Sequence, residues 1–152
     1  MPDAGDAAPA FEAVDQSRKT HRLSDYSGRK VALFFYPKDD TPVCTKQACN
    51  LRDNYVALQR HGVVVLGVSP DDVASHDEFA GKFDLPFPLL ADPSRTILES
   101  YGVWGEKNLY GRKFMGVKRT TFLIAEDGTI RKVFRRPKVR AHAEEILAAL
   151  GP

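Results

Sequence analysis

The stretch Tyr36-Pro-Lys-Asp-Asp-Thr-Pro-Val-Cys-Thr-Lys-Gln-Ala-Cys49 decides how this chain is read. It follows the apolar run Val31-Ala-Leu-Phe-Phe-Tyr36, which has the length and composition of a buried strand. A helix is then expected from about Pro42 to His61. Thr41 is placed as its N-cap, and Pro42 suits the first helical position, where a missing N–H costs nothing. That register sets Cys44 in the first turn, among backbone N–H groups without helical partners and at the positive end of the helix dipole. Both favour an anion, so a lowered thiol pKa is expected for Cys44. The consequence is large, since a thiol near 8.5 is only about 3% ionised at pH 7 and one near 6 is about 90% ionised.

The second cysteine sharpens the reading. Cys44 and Cys49 are the only two in the chain. Five positions apart on one helix, their Cα atoms lie about 8.7 Å from each other, on faces roughly 140° apart. A disulfide cannot bridge more than about 7 Å without backbone movement. The pair is therefore no static staple while the helix is intact. Either these are two unrelated free thiols, or the helix start unwinds to join them.

The string from Phe34 to Cys49 resembles the active-site segment of the atypical two-cysteine peroxiredoxins, and most closely the bacterioferritin comigratory protein or peroxiredoxin Q subfamily. The resemblance continues through Leu51-Arg-Asp53, Val103-Trp-Gly-Glu-Lys107, Tyr110-Gly-Arg-Lys-Phe-Met-Gly116 and Arg119-Thr-Thr-Phe-Leu-Ile124, and so covers nearly the whole chain. Pro-x-x-x-Thr-x-x-Cys at Pro37, Thr41 and Cys44 is its specific signal. A Cys-x4-Cys alone is weak. Val43 departs from the glycine usual before the first cysteine, which bears on how easily the first turn opens.

The resemblance implies a thiol peroxidase that reduces hydrogen peroxide and organic hydroperoxides without a bound cofactor or metal. Cys44 would attack the peroxide and become a sulfenic acid, and Cys49 would resolve it as an internal disulfide. Thioredoxin, or else glutaredoxin, would then reduce that bond. Thr41 would touch the thiolate and peroxide as well as cap the helix, through its hydroxyl oxygen and the N–H of Val43 or Cys44. Pro37 would shield the thiolate. Arg119 would stabilise the charge on sulfur and on the leaving oxygen.

Taken by themselves, the same residues have plainer readings. A buried cysteine is often only a small apolar side chain, Pro37 can simply stop a strand, and Arg119 can be a solvated strand end. A thioredoxin-like thiol–disulfide oxidoreductase is the first rival, disfavoured because its working pair is Cys-x-x-Cys. The second is a binding protein using the basic cluster Arg131, Lys132, Arg135, Arg136, Lys138 and Arg140. That cluster lacks interleaved aromatics and reads better as a charge-guarded edge strand.

At 152 residues, 43% hydrophobic and with a net charge of +2, the chain suits one domain with a proper core and no polyanion partner. No stretch approaches the ~18 apolar residues of a membrane span, and the first ten lack a signal-peptide pattern. Two cysteines make no disulfide framework, so a reducing compartment, the cytoplasm, is expected. The histidines at 21, 61, 76 and 142 show no metal-ligand spacing with a cysteine. Monomer and weak homodimer stay equally open.

Further strands are expected at Val63–Ser69, Phe87–Ala91, Arg119–Ala125 and Thr129–Arg135, the last two joined around Asp127-Gly128. Ser69-Pro-Asp-Asp72 should cap a helix running to about Phe83. Asp92-Pro93 should cap another ending before Gly102, and an amphipathic helix from Val139 to Leu150 closes the chain. Phe11 to Arg22 suggests a short hairpin, Ser24–Gly28 a capped turn, and residues 1–10 a loose surface segment. Trp104 to Gly116 reads equally well as a packed loop or as a wall of the substrate site. The order predicts an α/β, thioredoxin-like fold, a mixed central sheet with helices on both faces.

Overall fold

Strand β1 (Glu12–Val14) pairs antiparallel with β2 (Thr20–Arg22), and a 3-10 turn over Leu23–Tyr26 leads to β3 (Lys30–Phe35). Helices α1 (Pro42–Asp53) and α2 (Tyr55–Arg60) come next, then β4 (Val63–Ser69), α3 (Val73–Phe83), β5 (Leu89–Ala91) and α4 (Thr96–Ser100). The hairpin β6 (Trp104–Leu109) and β7 (Arg112–Val117) precedes β8 (Thr120–Ile124), β9 (Ile130–Phe134) and α5 (His142–Ala149). This computed structural model describes residues 1–151.

The central sheet has the order β5-β4-β3-β8-β9. β3, β4 and β5 run parallel, while β8 lies antiparallel to β3 and to β9. Helices cover both faces, as the thioredoxin-like expectation required. The period of two along β3 divides the core. Ala32 and Phe34 join Cys44, Ala48, Leu51, Leu58, Phe79 and Ile146 on the side of α1, α2, α3 and α5. Val31, Leu33 and Phe35 join Ile97, Leu98, Tyr101 and Phe122 on the side of α4. Gly67 of β4 leaves room for this packing, since a Cβ there would stand 2.8 Å from Phe34 Cζ and 2.9 Å from a Leu89 methyl.

Several expectations need correction. The single helix expected over 42–61 is two, broken at Asn54 (φ −110°, ψ 14°). The Asn54 side chain donates to the Asn50 carbonyl at 2.9 Å, competing with the helical ladder for that acceptor. Ser69 does not cap α3. It ends β4 and bonds Asp71, and the cap falls to Asp72, whose carboxylate accepts the Ser75 N–H at 2.8 Å.

Asp92 reaches α4 from outside, accepting the Leu98 N–H, while Arg95 holds the N-cap position. Residues 1–10 are not loose. Gly5, Asp6 and Ala8 exchange backbone hydrogen bonds with Gly128 and Ile130, and Ala7 bridges to Thr129. The segment between Trp104 and Gly116 is a β-hairpin rather than a loop, turned at Tyr110 (φ 52°) and Gly111 (φ 78°). α5 starts at His142 rather than Val139.

Candidate active site

The parallel strands β3 and β4 end beside each other, and the chain leaves β3 through residues 37–41 to enter α1. Cys44 occupies the first turn of α1 and is 2% exposed, packed against Tyr36 and Ala48. β8 is the other neighbour of β3, so Arg119, just ahead of β8, comes to the same end of the sheet. Its Nη2 donates to Cys44 Sγ at 3.2 Å. Its Nη1 donates to Gln47 Oε1 at 2.6 Å. The guanidinium fork thus spans two α1 side chains one turn apart, a geometry a lysine ammonium cannot reproduce.

Gln47 did not emerge from the sequence reading. It is fully buried, and its Nε2 finds no hydrogen-bond partner among the described residues. A signal existed: Gln47 lies three positions after Cys44, on the stripe carrying Ala48 and Leu51, where a polar side chain is costly unless it has work to do.

Thr41 holds the N-cap position, but its hydroxyl caps no α1 N–H among the described residues. It donates instead to the Lys38 carbonyl at 2.8 Å, tightening the turn before α1. Its carbonyl takes the Thr45 N–H. Pro37 is half-buried where the chain leaves β3. Cys49 lies on another face of α1, half-buried, and both cysteines are free thiols. Burial pushes the Cys49 thiol up, Arg52 pulls it back and Asp53 raises it further.

The loop carrying Thr41 is fastened by Asp39. Asp39 is buried and accepts from Tyr36 Oη at 2.6 Å and Ser75 Oγ at 2.8 Å, and it meets His76 Nδ1 at 2.7 Å. Its own N–H donates to Asp71 at 2.8 Å. His76 Nε2 faces the Leu90 carbonyl, which can only accept, so that nitrogen carries a proton. Asp39, Asp71 and His76 place their polar atoms within 4.8 Å of one another, as metal ligands do. Their bonds to Tyr36, Ser69, Ser75 and Leu90 already use them, and together they act as a structural pin.

A buried cysteine at a helix start, faced by an arginine on a thioredoxin-like sheet, defines a thiol-chemistry enzyme of the peroxiredoxin class. Comparison with known proteins gives the family. Residues 4–133 match the AhpC/TSA family. A peroxiredoxin of Coxiella burnetii is 47% identical over 97% of this chain and 98% of its own length. Peroxiredoxin Bcp of Escherichia coli is 44% identical over 95% and 92%. The bacterioferritin comigratory protein of Xanthomonas campestris, studied for alkyl peroxide reduction, superposes with a TM-score of 0.89 at 34% identity, covering 97% of each chain. The chain belongs to the AhpC/TSA family, in its bacterioferritin comigratory protein or peroxiredoxin Q branch.

Proposed function

We propose that Cys44 is the peroxide-attacking residue of this thiol peroxidase, with Cys49 as its resolving partner. The contact of Arg119 with the buried Cys44 sulfur, at 3.2 Å, supports the reading most directly. The Cys44 thiolate attacks the terminal oxygen of the hydroperoxide and the O–O bond breaks. The remaining oxygen takes a proton and leaves as water or an alcohol, and Cys44 carries a sulfenic acid. Arg119 favours negative charge on sulfur before the attack and on the leaving oxygen during it. Gln47 holds the guanidinium in line. Thr41 and Pro37 shape the mouth of the site from the turn before α1.

Cys49 then attacks the sulfenic sulfur, the S–O bond breaks and water leaves. The two thiols stand on different faces of α1, so the first turns of the helix unwind for this step. An external dithiol returns the disulfide to two thiols through a mixed disulfide. Thioredoxin is the proposed reductant, with glutaredoxin as the second candidate. Such a cycle suits the reducing cytoplasm. Among the described residues no helix is long and apolar enough to cross a membrane. Residues 1–152 act as one domain, as a monomer or weak homodimer, on hydrogen peroxide and alkyl hydroperoxides.

Peroxide consumption with thioredoxin tests the assignment. Cys44→Ser abolishes turnover, while Cys49→Ser completes one stoichiometric event and then stops. Sustained turnover by Cys44→Ser contradicts it.

A further inference from the structure

Helix α5 begins without a cap of its own. Its N-cap residue is Ala141, whose methyl group offers no acceptor, although the first turn of any helix carries N–H groups that need one. The acceptor comes from α1. Asn50 Oδ1 takes the Ala143 N–H at 2.8 Å, and Asn50 Nδ2 donates to the Arg140 carbonyl at 3.0 Å. The Glu144 carboxylate makes longer contacts with the same nitrogen, at 3.3 and 3.4 Å. Asn50 directly follows Cys49. The thiol that must move to close the disulfide is thus the chain neighbour of the residue that caps α5.

This clasp depends on α1 being helical. A helical Asn50 donates its backbone N–H to the carbonyl four residues earlier, at Lys46, and Lys46 lies between the two cysteines. Unwinding that segment removes the bond and with it the backbone direction that aims the side chain at α5. Asn50 then stands just ahead of what remains of α1, where asparagine is a favoured N-cap for its own chain. That role draws Oδ1 away from Ala143.

We propose, on the basis of the disulfide cycle above, that Asn50 is a positioning residue for the resolving step. It ties the end of α1 to α5 while the thiols are reduced, and it lets go as the Cys44–Cys49 bond forms. The tie slows unwinding, so the sulfenic acid persists longer. In that interval a second peroxide can transfer an oxygen to the same sulfur, leaving as water or an alcohol and giving a sulfinic acid that Cys49 cannot resolve. Asn50 therefore sets the partition between recycling and inactivation. Disulfide formation also frees the start of α5, some distance along the chain from either cysteine.

The partition is read by mass after treating the unsubstituted protein and Asn50→Ala with the same excess of hydrogen peroxide. Loss of two part-exposed hydrogen bonds predicts a disulfide-to-sulfinic ratio about five- to tenfold higher in Asn50→Ala. Asn50→Asp keeps an acceptor for Ala143 and brings the ratio back towards that of the unsubstituted protein. Hydrogen exchange at the Ala143 amide needs no substitution: it is slow in the reduced protein and fast in the disulfide form. An unchanged ratio in Asn50→Ala, or an Ala143 amide equally slow in both redox states, overturns the clasp and leaves the disulfide cycle standing. Failure of the unsubstituted protein to form any Cys44–Cys49 bond overturns the cycle, and the clasp with it.

Discussion

Arg119 meets two α1 side chains with two different nitrogens, one on the Cys44 sulfur and one on the Gln47 side-chain oxygen. Arg119→Lys keeps the charge but cannot span Cys44 and Gln47 together. A loss of about 10²-fold or more in the rate of Cys44 oxidation is expected, the size seen when one preorganised donor is removed from an active site. Stopped-flow oxidation at fixed peroxide measures it, and a loss under threefold would show that the fork is dispensable. Cys49 makes a separate prediction through its pH dependence. Burial lifts its thiol above the ordinary value and the Arg52 charge lowers it again. Since the thiolate is the attacking form and the net shift is upward, single-turnover disulfide formation should go on speeding up as pH rises beyond the ordinary thiol range. Arg52→Ala should displace that profile to higher pH. A flat profile would place the slow event in unwinding rather than in sulfur chemistry. At this scale one motif fixed one helix register and with it the places of Cys44 and Cys49, while Arg119 was singled out only through the family resemblance. Gln47 was missed although its place on the buried stripe marked it, and the partner that gives it a role, Arg119, lies 72 positions away. Thr41 was placed correctly at the N-cap, but its hydroxyl serves the turn behind it rather than the helix ahead.

The turn before α1 is held by more buried polar bonds than the helix start itself. Asp39 gathers Tyr36, Ser75 and His76, and its N–H reaches Asp71, so β3, β4 and α3 all bear on the segment that presents Cys44. Removing that carboxylate leaves several buried groups without partners. Asp39→Ala is therefore expected to cost about 3–5 kcal/mol in folding stability, measured by urea unfolding, against under 1 kcal/mol if water replaces the carboxylate. At the level of the sheet, Gly67→Ala drives a methyl into Phe34 and Leu89. An overpacking loss of about 1–3 kcal/mol is expected, by the same measurement. Elements with a strong period or a turn dipeptide could be read from sequence: β3, β4, the β8–β9 hairpin and both cysteines' helix. The misreadings are short-range competitions between side chain and backbone. Asn54 bonds the Asn50 carbonyl four positions back, Ser69 bonds Asp71 two positions on, and Asp92 reaches past the first turn to the Leu98 N–H six positions on. The β6–β7 hairpin was missed because its strands alternate poorly and its tip is a Tyr-Gly pair rather than Asn-Gly or Asp-Gly.

Across the molecule, α1, α5 and β8 meet through a few polar side chains set in the apolar layer. His142 is one, bonded to Thr121 of β8 at 2.8 Å and to Glu145 at 2.6 Å. Burial lowers its pKa despite the raising effect of Glu145. A histidine depressed in this way favours folding above its unfolded value of about 6.5, and that contribution is lost as pH falls through the folded value. Thermal stability should therefore fall from about pH 6.5 downward, and His142→Gln should flatten that part of the profile. An unaltered profile would assign the acid sensitivity to other groups. In the proposed cycle, two thiols on different faces of one helix couple chemistry to local unfolding, because the Cys44–Cys49 bond cannot form while α1 stays intact. The most direct measurement is the intact mass of the protein after one equivalent of hydrogen peroxide, with remaining thiols alkylated. The account predicts a monomer two hydrogens lighter than the reduced chain, carrying no alkyl group and yielding a peptide that links Cys44 to Cys49. Two alkylated cysteines, or a disulfide between chains, would contradict it.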